Sequence, residues 1–595
     1  MLDTNNLING LQERPCPPPQ TQLSTSEANH TPLAPTARLP SPGLPVGLSA
    51  QLPSLALPAG LATALAACGG GGTDAVVPTP PPPPAAISEA QASRFLGQAS
   101  MGATRSQIAR VQTLGYSAWL DEQLALPVSD TRWDYLVAKG YNADAFKNSQ
   151  AGFDNAAWRK LLVAPDTLRQ RVTFALSELI VVGIDGLVNG GGWKAFSAAA
   201  YLDLLDANAF GNVRTLLAQV SQSLPMGLYL TFRGNAKANT GTGSMPDENY
   251  ARELMQLFSI GLVQLNLDGT PKLVAGKQQE TYGLDDITGL ARVFTGWDID
   301  YAGGTSATPD HHRRPMLMVA SRHETGAKAF LGTTIPAGTD GATSLGLALD
   351  AIYAHPNVAP FWSRQLIQRL VTSNPSAAYV QRVVTVFNND GSGTKGNLRA
   401  VLKAIFLDDE ARSATALADP RFGKLREPIL RFTAWARAFG VISPSDAWAV
   451  GNTADPGTRL GQSPLRSASV FNFFRPGYVP PNSAIGTANL VGPEFQITNE
   501  SSVVGYINIM QRWVSTGVGD LTPDYNSVIA LADNAGALLD ELNTVLAAGQ
   551  LSAATLATMK TALDSMAGGT DAARKNRVYA ALVLVLAAPE FLVLK

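Results

Sequence analysis

From Ser88 to Lys595 the chain is a nearly unbroken succession of segments in which apolar residues return every three or four positions. That interval matches the roughly 3.6 residues per turn of an α-helix and not the two-residue period of a strand, so it confines this stretch to a mainly helical fold. The pattern runs through residues 106–114, 166–182, 198–205, 213–223, 247–260, 285–294, 356–371, 398–408, 428–439 and 503–514, and Ala-rich helices follow from Asn526 onward. Ser88 followed by Glu89 reads as the first helix cap. Strand-like runs are short and few, at 227–232 and 316–320, and loops cluster at 189–192, 235–245, 302–314 and 476–492. No repeat of fixed period is visible, which argues against a solenoid. The expectation is a mainly α, large multi-helix domain over 88–595 with a few short strands.

Composition narrows the function classes. Charged residues make up 15 % of the 595 positions and the formal net charge is −2, so no strong field of one sign exists to hold nucleic acid. Hydrophobic residues are 45 %, much of it Ala and Leu, enough to build a large helical core. The only cysteines are Cys16 and Cys68, which leaves no structural disulfide and no cysteine-based metal site or nucleophile in the helical region.

The stretch before that region has its own character. No charged residue occurs between Arg38 and Asp74, and within it an apolar run ends in Leu65-Ala66-Ala67-Cys68 followed by four glycines. Small residues before a cysteine let an extended chain enter a narrow peptidase groove, and the thiol can then receive a diacylglyceryl group. This resembles a bacterial lipoprotein cleavage box. Residues 1–67 are thus expected to be a disordered N-terminus plus a lipoprotein-type signal, and 68–87 a Gly/Pro-rich tether. Lipid on Cys68 would anchor the exported protein to a membrane. Gly69 after the cysteine points to the outer membrane if the host is Gram-negative. Pro53 and Pro58 interrupt the apolar run, and residues 1–37 exceed the length of a signal n-region. A start downstream of Met1 reconciles this; the other reading is a Pro-rich tail on an unlipidated protein. The apolar run 579–588 stops at Pro589, about half the length of a bilayer-spanning helix, and is expected to be a buried last helix.

Several segments together carry a resemblance. ASRFLGQASMGATRSQIARVQTLGYSAWLDEQL, LRQRVTFALSELIVV, PDENYARELMQLFSIGL, DDITGLARVFTGW, RHETGAKAFLG, FGKLREPIL, GQSPLRSASVFNFFRPGYVPP and GPEFQITNESSVVGY occur in that order. They resemble the bacterial exported family known as domain of unknown function eighteen-hundred, over nearly all of 88–595. The resemblance implies export and an envelope role, with a sulfatase/phosphatase-like protein as partner, and implies no reaction. Many members carry a His where this chain has Phe258, so a mechanism built on that His does not carry over.

On the helix after Asp247, Glu248, Asn249, Arg252, Glu253 and Gln256 fall within an arc of about 140°. Tyr250, Ala251, Leu254, Leu257 and Phe258 face the core. Glu248 and Arg252 can pair at i,i+4, and two carboxylates beside a guanidinium could split their pKa values as an acid–base pair. The alternative is an amphipathic helix with an ordinary salt bridge, or a buried network locking neighbouring helices. In SRHETGAKAFLG, His323 is placed as a general base, with Glu324 and Lys328 beside it, or is a loop His satisfied by backbone. Arg292 and Trp297 could line a cleft or belong to a cap and core. His311, His312 and His323 could in principle hold a metal, but adjacent histidines in extended chain point to opposite faces, and no metal is expected. Lys424, Arg426 and Glu427 suit the first turn of a helix opened by Pro428. The aromatic loop GQSPLRSASVFNFFRPGY either binds sugar rings or packs on the core.

Two functions remain open. One is a non-catalytic tethered envelope protein that docks the sulfatase/phosphatase-like partner. The other is an exported enzyme acting on an envelope or extracellular polymer, with Glu248, Glu253 and His323 as acid–base groups and Asn249, Arg252, Glu324, Lys328 and Trp297 binding substrate. The cofactor, if any, is unknown from sequence.

Overall fold

The described residues of the computed structural model are 86–595, within the unit Pro83–Lys595. Cys16, the Leu65–Cys68 box and most of the tether lie outside them. Among the described residues are twenty-five α-helices and eight strands of two or three residues, the strands forming four separate antiparallel pairs. The mainly α reading therefore holds.

The first helix, Glu89–Ala99, starts at Ser88, whose Oγ accepts from Gln91 N while Gln91 returns a bond to Ser88 N. Such reciprocal capping satisfies two donors that the first helical turn leaves free. The chain then wraps one continuous core that encloses Trp119, Trp158, Trp193, Trp362, Trp435 and Trp513. Helix Thr167–Leu179 lies at its centre, against Tyr116–Ala125, Lys194–Asn208 and Val358–Leu370. Helix Asp571–Ala587 buries Val578, Ala581, Leu582, Val585 and Leu586 and ends before Pro589, as a last core helix should. Among the described residues no helix is long and apolar enough to cross a membrane.

Three local expectations change. The run 227–232 is not a strand: helix Leu224–Tyr229 occupies its first half, with Pro225 in the first turn. The buried position of Leu224, Met226, Gly227 and Leu228 explains the continuous apolar run, which periodicity alone cannot assign to helix or strand. Of 316–320, only Leu317–Met318 is strand, paired with Trp297–Asp298. The loop 302–314 contains a 3-10 turn, Pro309–Arg313. His311 and His312 sit on that turn rather than in extended chain, so their rings lie together, centroids 4.2 Å apart, instead of facing opposite ways. Each bonds a backbone carbonyl, Gly190 and Gly192 respectively.

Candidate functional site

Helix Thr167–Leu179 is enclosed along almost its whole length, yet it carries Arg169, Gln170, Arg171, Thr173 and Glu178. Buried charges persist only when paired and hydrogen-bonded, so each must find its partner inside the protein. They do so in two groups. In the first, Asp206 accepts from Arg132 Nη1 and Lys160 Nζ, each at 3.1 Å, and from Thr173 and Gln170. Burial works to raise that carboxyl, but the two cations hold it at about 2. With both oxygens taken, Asp206 is a clamp between helices.

The second group surrounds the last turn of the same helix. Lys424 Nζ, fully buried, donates to Glu427 Oε1 at 3.0 Å, Glu494 Oε1 at 3.1 Å and the Arg369 carbonyl at 2.8 Å. Gln462 Nε2 bridges two carboxyls, donating to Glu427 Oε2 at 2.9 Å and Glu178 Oε1 at 3.2 Å. Asn472 adds a 3.3 Å bond to Glu178 Oε1, while Glu178 Oε2 has no partner. Arg171 Nη2 donates to the Arg369 carbonyl, and Arg369 Nη2 to the Glu178 carbonyl at 3.1 Å. Local sequence explains the placement. Pro428 opens helix Pro428–Ala438 without needing a donor partner, and Glu427 before it makes no side-chain cap, so its carboxylate turns to Lys424. Strand Lys424–Leu425 pairs with Val593–Leu594, and the 3-10 turn Pro493–Ile497 supplies Glu494.

The two bridged carboxyls titrate apart. Burial, then the neighbouring Glu427, pushes Glu178 well above the ordinary carboxylate range. Burial opposes ionisation of Glu427 too, but Lys424 holds it at about 2. Burial also raises Glu494. Three cations, Lys424, Arg171 and Arg369, thus share the cluster with three carboxyls, and burial works against ionisation of two of them, Glu178 and Glu494.

The cluster borders a cleft of about 380 Å³. Glu178 and Leu179 from the central helix meet Arg364, Gln368 and Arg369 from helix Val358–Leu370 there, beside residues 256–265 and the loop 470–477 with Phe471 and Arg475. Arg364 donates to the Gly269 carbonyl at 3.2 Å, and Arg475 lies 4.6 Å over the Phe471 ring. Neither is in an ion pair with a described residue. A larger cleft of about 570 Å³ beside His312 is lined by Arg313 and Arg314 together with Asp134 and Asp203; Arg313 pairs with Asp310 and Asp203 with Arg132. The first cleft combines guanidinium groups free of ion pairs with a low-dielectric floor, the setting in which anions bind strongly.

Of the residues expected from sequence, Gln256 and part of the aromatic loop, 470–477, line the first cleft and His312 lines the larger one, whereas Glu248, Asn249, Arg252, Glu253, Trp297, His323, Glu324 and Lys328 line none of the five principal clefts. Glu248 pairs with Arg252 at 3.2 Å and accepts from Thr288 Oγ1 at 2.8 Å. Asn249 caps through its backbone N–H to Asp247 and reaches Thr231 Oγ1 at 3.4 Å. Glu253 is buried with Oε2 unpartnered, and burial raises its carboxyl against the pull of Arg252. His323 Nδ1 donates to the Thr295 carbonyl at 2.9 Å, which leaves Nε2 a buried acceptor without a partner. Burial lowers its pKa. Glu324 Oε1 accepts from Gly326 N, and Lys328 is buried with one 3.5 Å contact to the Gly326 carbonyl. Trp297 is buried in its strand. No hydrogen bond, ion pair or shared principal cleft joins His323 to the Glu248–Glu253 face. Among the described residues no three His, Cys, Asp or Glu converge to hold a metal ion.

The expectation that the loop GQSPLRSASVFNFFRPGY either binds a ligand or packs on the core includes Arg475, whereas Glu178, Arg364 and Arg369 are not expected from sequence and Lys424 and Glu427 read as a helix start. A signal was present: within 166–182, Arg169 stands opposite Arg171 and Glu178, whereas a surface helix gathers its charges on one side.

The sequence model of the family described as "Protein of unknown function (DUF1800)" matches residues 94–593. No curated protein and no solved structure matches the chain. Because the match runs from the first helix to the closing strand and includes every member of the buried cluster and its cleft, the chain belongs to that protein family of unknown function, DUF1800.

Proposed function

We propose that this is an exported, lipid-tethered envelope protein whose helical domain binds an anionic ligand in the cleft between Glu178, Arg364, Arg369 and Arg475. The single observation that carries the binding site is that Arg364, Arg369 and Arg475 line one cleft and none of the three makes an ion pair with a described residue. A guanidinium bonds a carboxylate or phosphate through two parallel N–H groups, and exclusion of water strengthens each bond. The Leu65-Ala66-Ala67-Cys68 box supports the tether. Such a cleft also takes an acidic group presented by a docked sulfatase/phosphatase-like protein, the partner implied by the family resemblance.

The test is calorimetric titration of benzoate and of inorganic phosphate into the wild type and into Arg364→Gln and Arg475→Gln. Neither arginine belongs to the buried cluster, so both variants should fold. Each should bind roughly tenfold more weakly, the effect of losing one charge-assisted hydrogen-bonding partner. Unchanged affinity in both, or no binding to the wild type, sinks the reading.

A second reading, an enzyme that acts on an envelope or extracellular polymer, is favoured by one observation: Glu178 lines the cleft with Oε2 unpartnered, and burial pushes its carboxyl well above the ordinary range. Glu178→Gln separates the two, because a receptor keeps its ligand and an acid catalyst loses turnover.

A further inference from the structure

The lining of the anion cleft divides by segment. The cations come from helix Val358–Leu370 and the loop 470–477, whereas residues 257–265 contribute Leu257, Ile260, Leu262, Val263 and Leu265 around Gly261, with no polar side chain. An inorganic anion has no use for such a wall. The apolar character also continues outside the cleft. Residues 263–265 pair with Pro271 and Glu280, and the chain extends into the hairpin Leu273–Val274 and Lys277–Gln278. Of the sixteen large apolar residues exposed on the described surface, four lie in this one stretch: Leu262 at 54 %, Leu267 at 54 %, Leu273 at 58 % and Val274 at 57 % exposure. Scattered apolar residues need no explanation, but a run that begins inside a cationic cleft and carries on along the adjoining surface marks a binding track. Leu262 belongs to both, since it lines the cleft while half its surface faces water.

We propose that the cleft takes an anion that carries an acyl chain: a carboxylate or phosphate head held by Arg364, Arg369 and Arg475, and a chain lying along residues 257–265 toward the exposed hairpin. This rests on the anion reading above and adds the class of ligand. The head can belong to a free fatty acid or to a single-chain phospholipid, which share this chemistry.

The experiment is titration of the full chain with acetate, butyrate, octanoate and decanoate, with octanol as the uncharged control and lysophosphatidate of matched chain length, each below its micelle concentration. Affinity should rise about fourfold per methylene buried. It should fall at least tenfold in Arg364→Gln and Arg475→Gln, and Leu262→Ser should flatten the dependence on chain length. Acetate bound as tightly as decanoate overturns the acyl-chain inference and leaves the anion reading standing. Octanol bound as tightly as octanoate, with no effect of the arginine variants, overturns both, as does the absence of any binding. A preference for lysophosphatidate over the fatty acid of equal chain supports the proposal with a phosphate head, and the reverse order supports it with a carboxylate head.

Discussion

Glu178 and Glu427 share one amide donor, Gln462, and their opposite responses to burial make stability depend on pH in a way that can be read residue by residue. Glu178 keeps its proton in the fold where the unfolded chain releases it, near 4.5. Its contribution is therefore complete below that pH and is lost as pH rises through its raised folded value. Glu427, held at about 2 against 4.5 for the free side chain, contributes fully above 4.5 and loses its contribution as pH falls toward 2. His312 is pushed to about 3, by burial first and by His311 second, against 6.5 when free, so acid also destabilises the fold from 6.5 downward. Urea unfolding of the wild type across pH should show decline on both sides, the acid side starting near the His312 window and steepening in the Glu427 window. Glu178→Gln should flatten the alkaline slope, leaving the part that Glu253 and Glu494 contribute, and keep the acid one. An alkaline slope as steep as that of the wild type would overturn the raised folded value of Glu178.

At the scale of elements, close contact between backbones decides more than helix preference does. Gly289 sits inside helix Leu284–Ala291, and a Cβ placed there would lie 1.7 Å from the Ala329 carbonyl oxygen in strand Lys328–Phe330. Gly346, inside helix Gly341–Ala354, has nothing within 4 Å of the same position. Ala is favoured over Gly in a helix interior by about 1 kcal/mol. Gly346→Ala should therefore stabilise by about 0.5–1 kcal/mol, whereas Gly289→Ala should destabilise by about 2 kcal/mol or more, because the strand must move off the helix. Denaturant midpoints of the two variants check the contrast, and equal shifts would refute it. The helices themselves were legible because capping residues and apolar spacing are local: Ser88 before Glu89, and the stripe from Tyr250 to Phe258, stand as the pattern implies. The run 227–232 was not, since a fully buried helix and a buried strand show the same unbroken apolar sequence. The cleft was hidden for a different reason. Its charges come from residues 178, 364, 369 and 475, and spacing along the chain holds no information on which distant turns meet. The pair Glu248–Arg252 could be read four residues apart, and the structure does form it, but such a local pair says nothing about a cleft.

Over the whole molecule the formal charge is only −2, so the anion cleft is a local arrangement and not the product of a general field. The same holds for covalent cross-links. Cys16 and Cys68 both precede residue 86, and the fold of 86–595 is therefore held by packing, hydrogen bonds and buried ion pairs alone. This frees Cys68 for another use. Under the proposed lipidation, Ala66 and Ala67 would leave room for a peptidase groove, the thiol would accept a diacylglyceryl group, and the glycines and prolines that follow would serve as the tether. One acyl chain gives only marginal membrane affinity, whereas the two chains of a diacylglyceryl group hold stably. Cells grown with labelled palmitate should yield a labelled wild-type protein that sediments with membranes. Cys68→Ser should be unlabelled and remain in the supernatant. Its melting temperature should equal that of the wild type, with or without reductant, because no cysteine lies among the residues that form the core. Equal labelling of the two proteins would exclude lipid on Cys68, and a lowered melting temperature in the variant would assign the cysteine a structural part that the fold of 86–595 gives it no means to play.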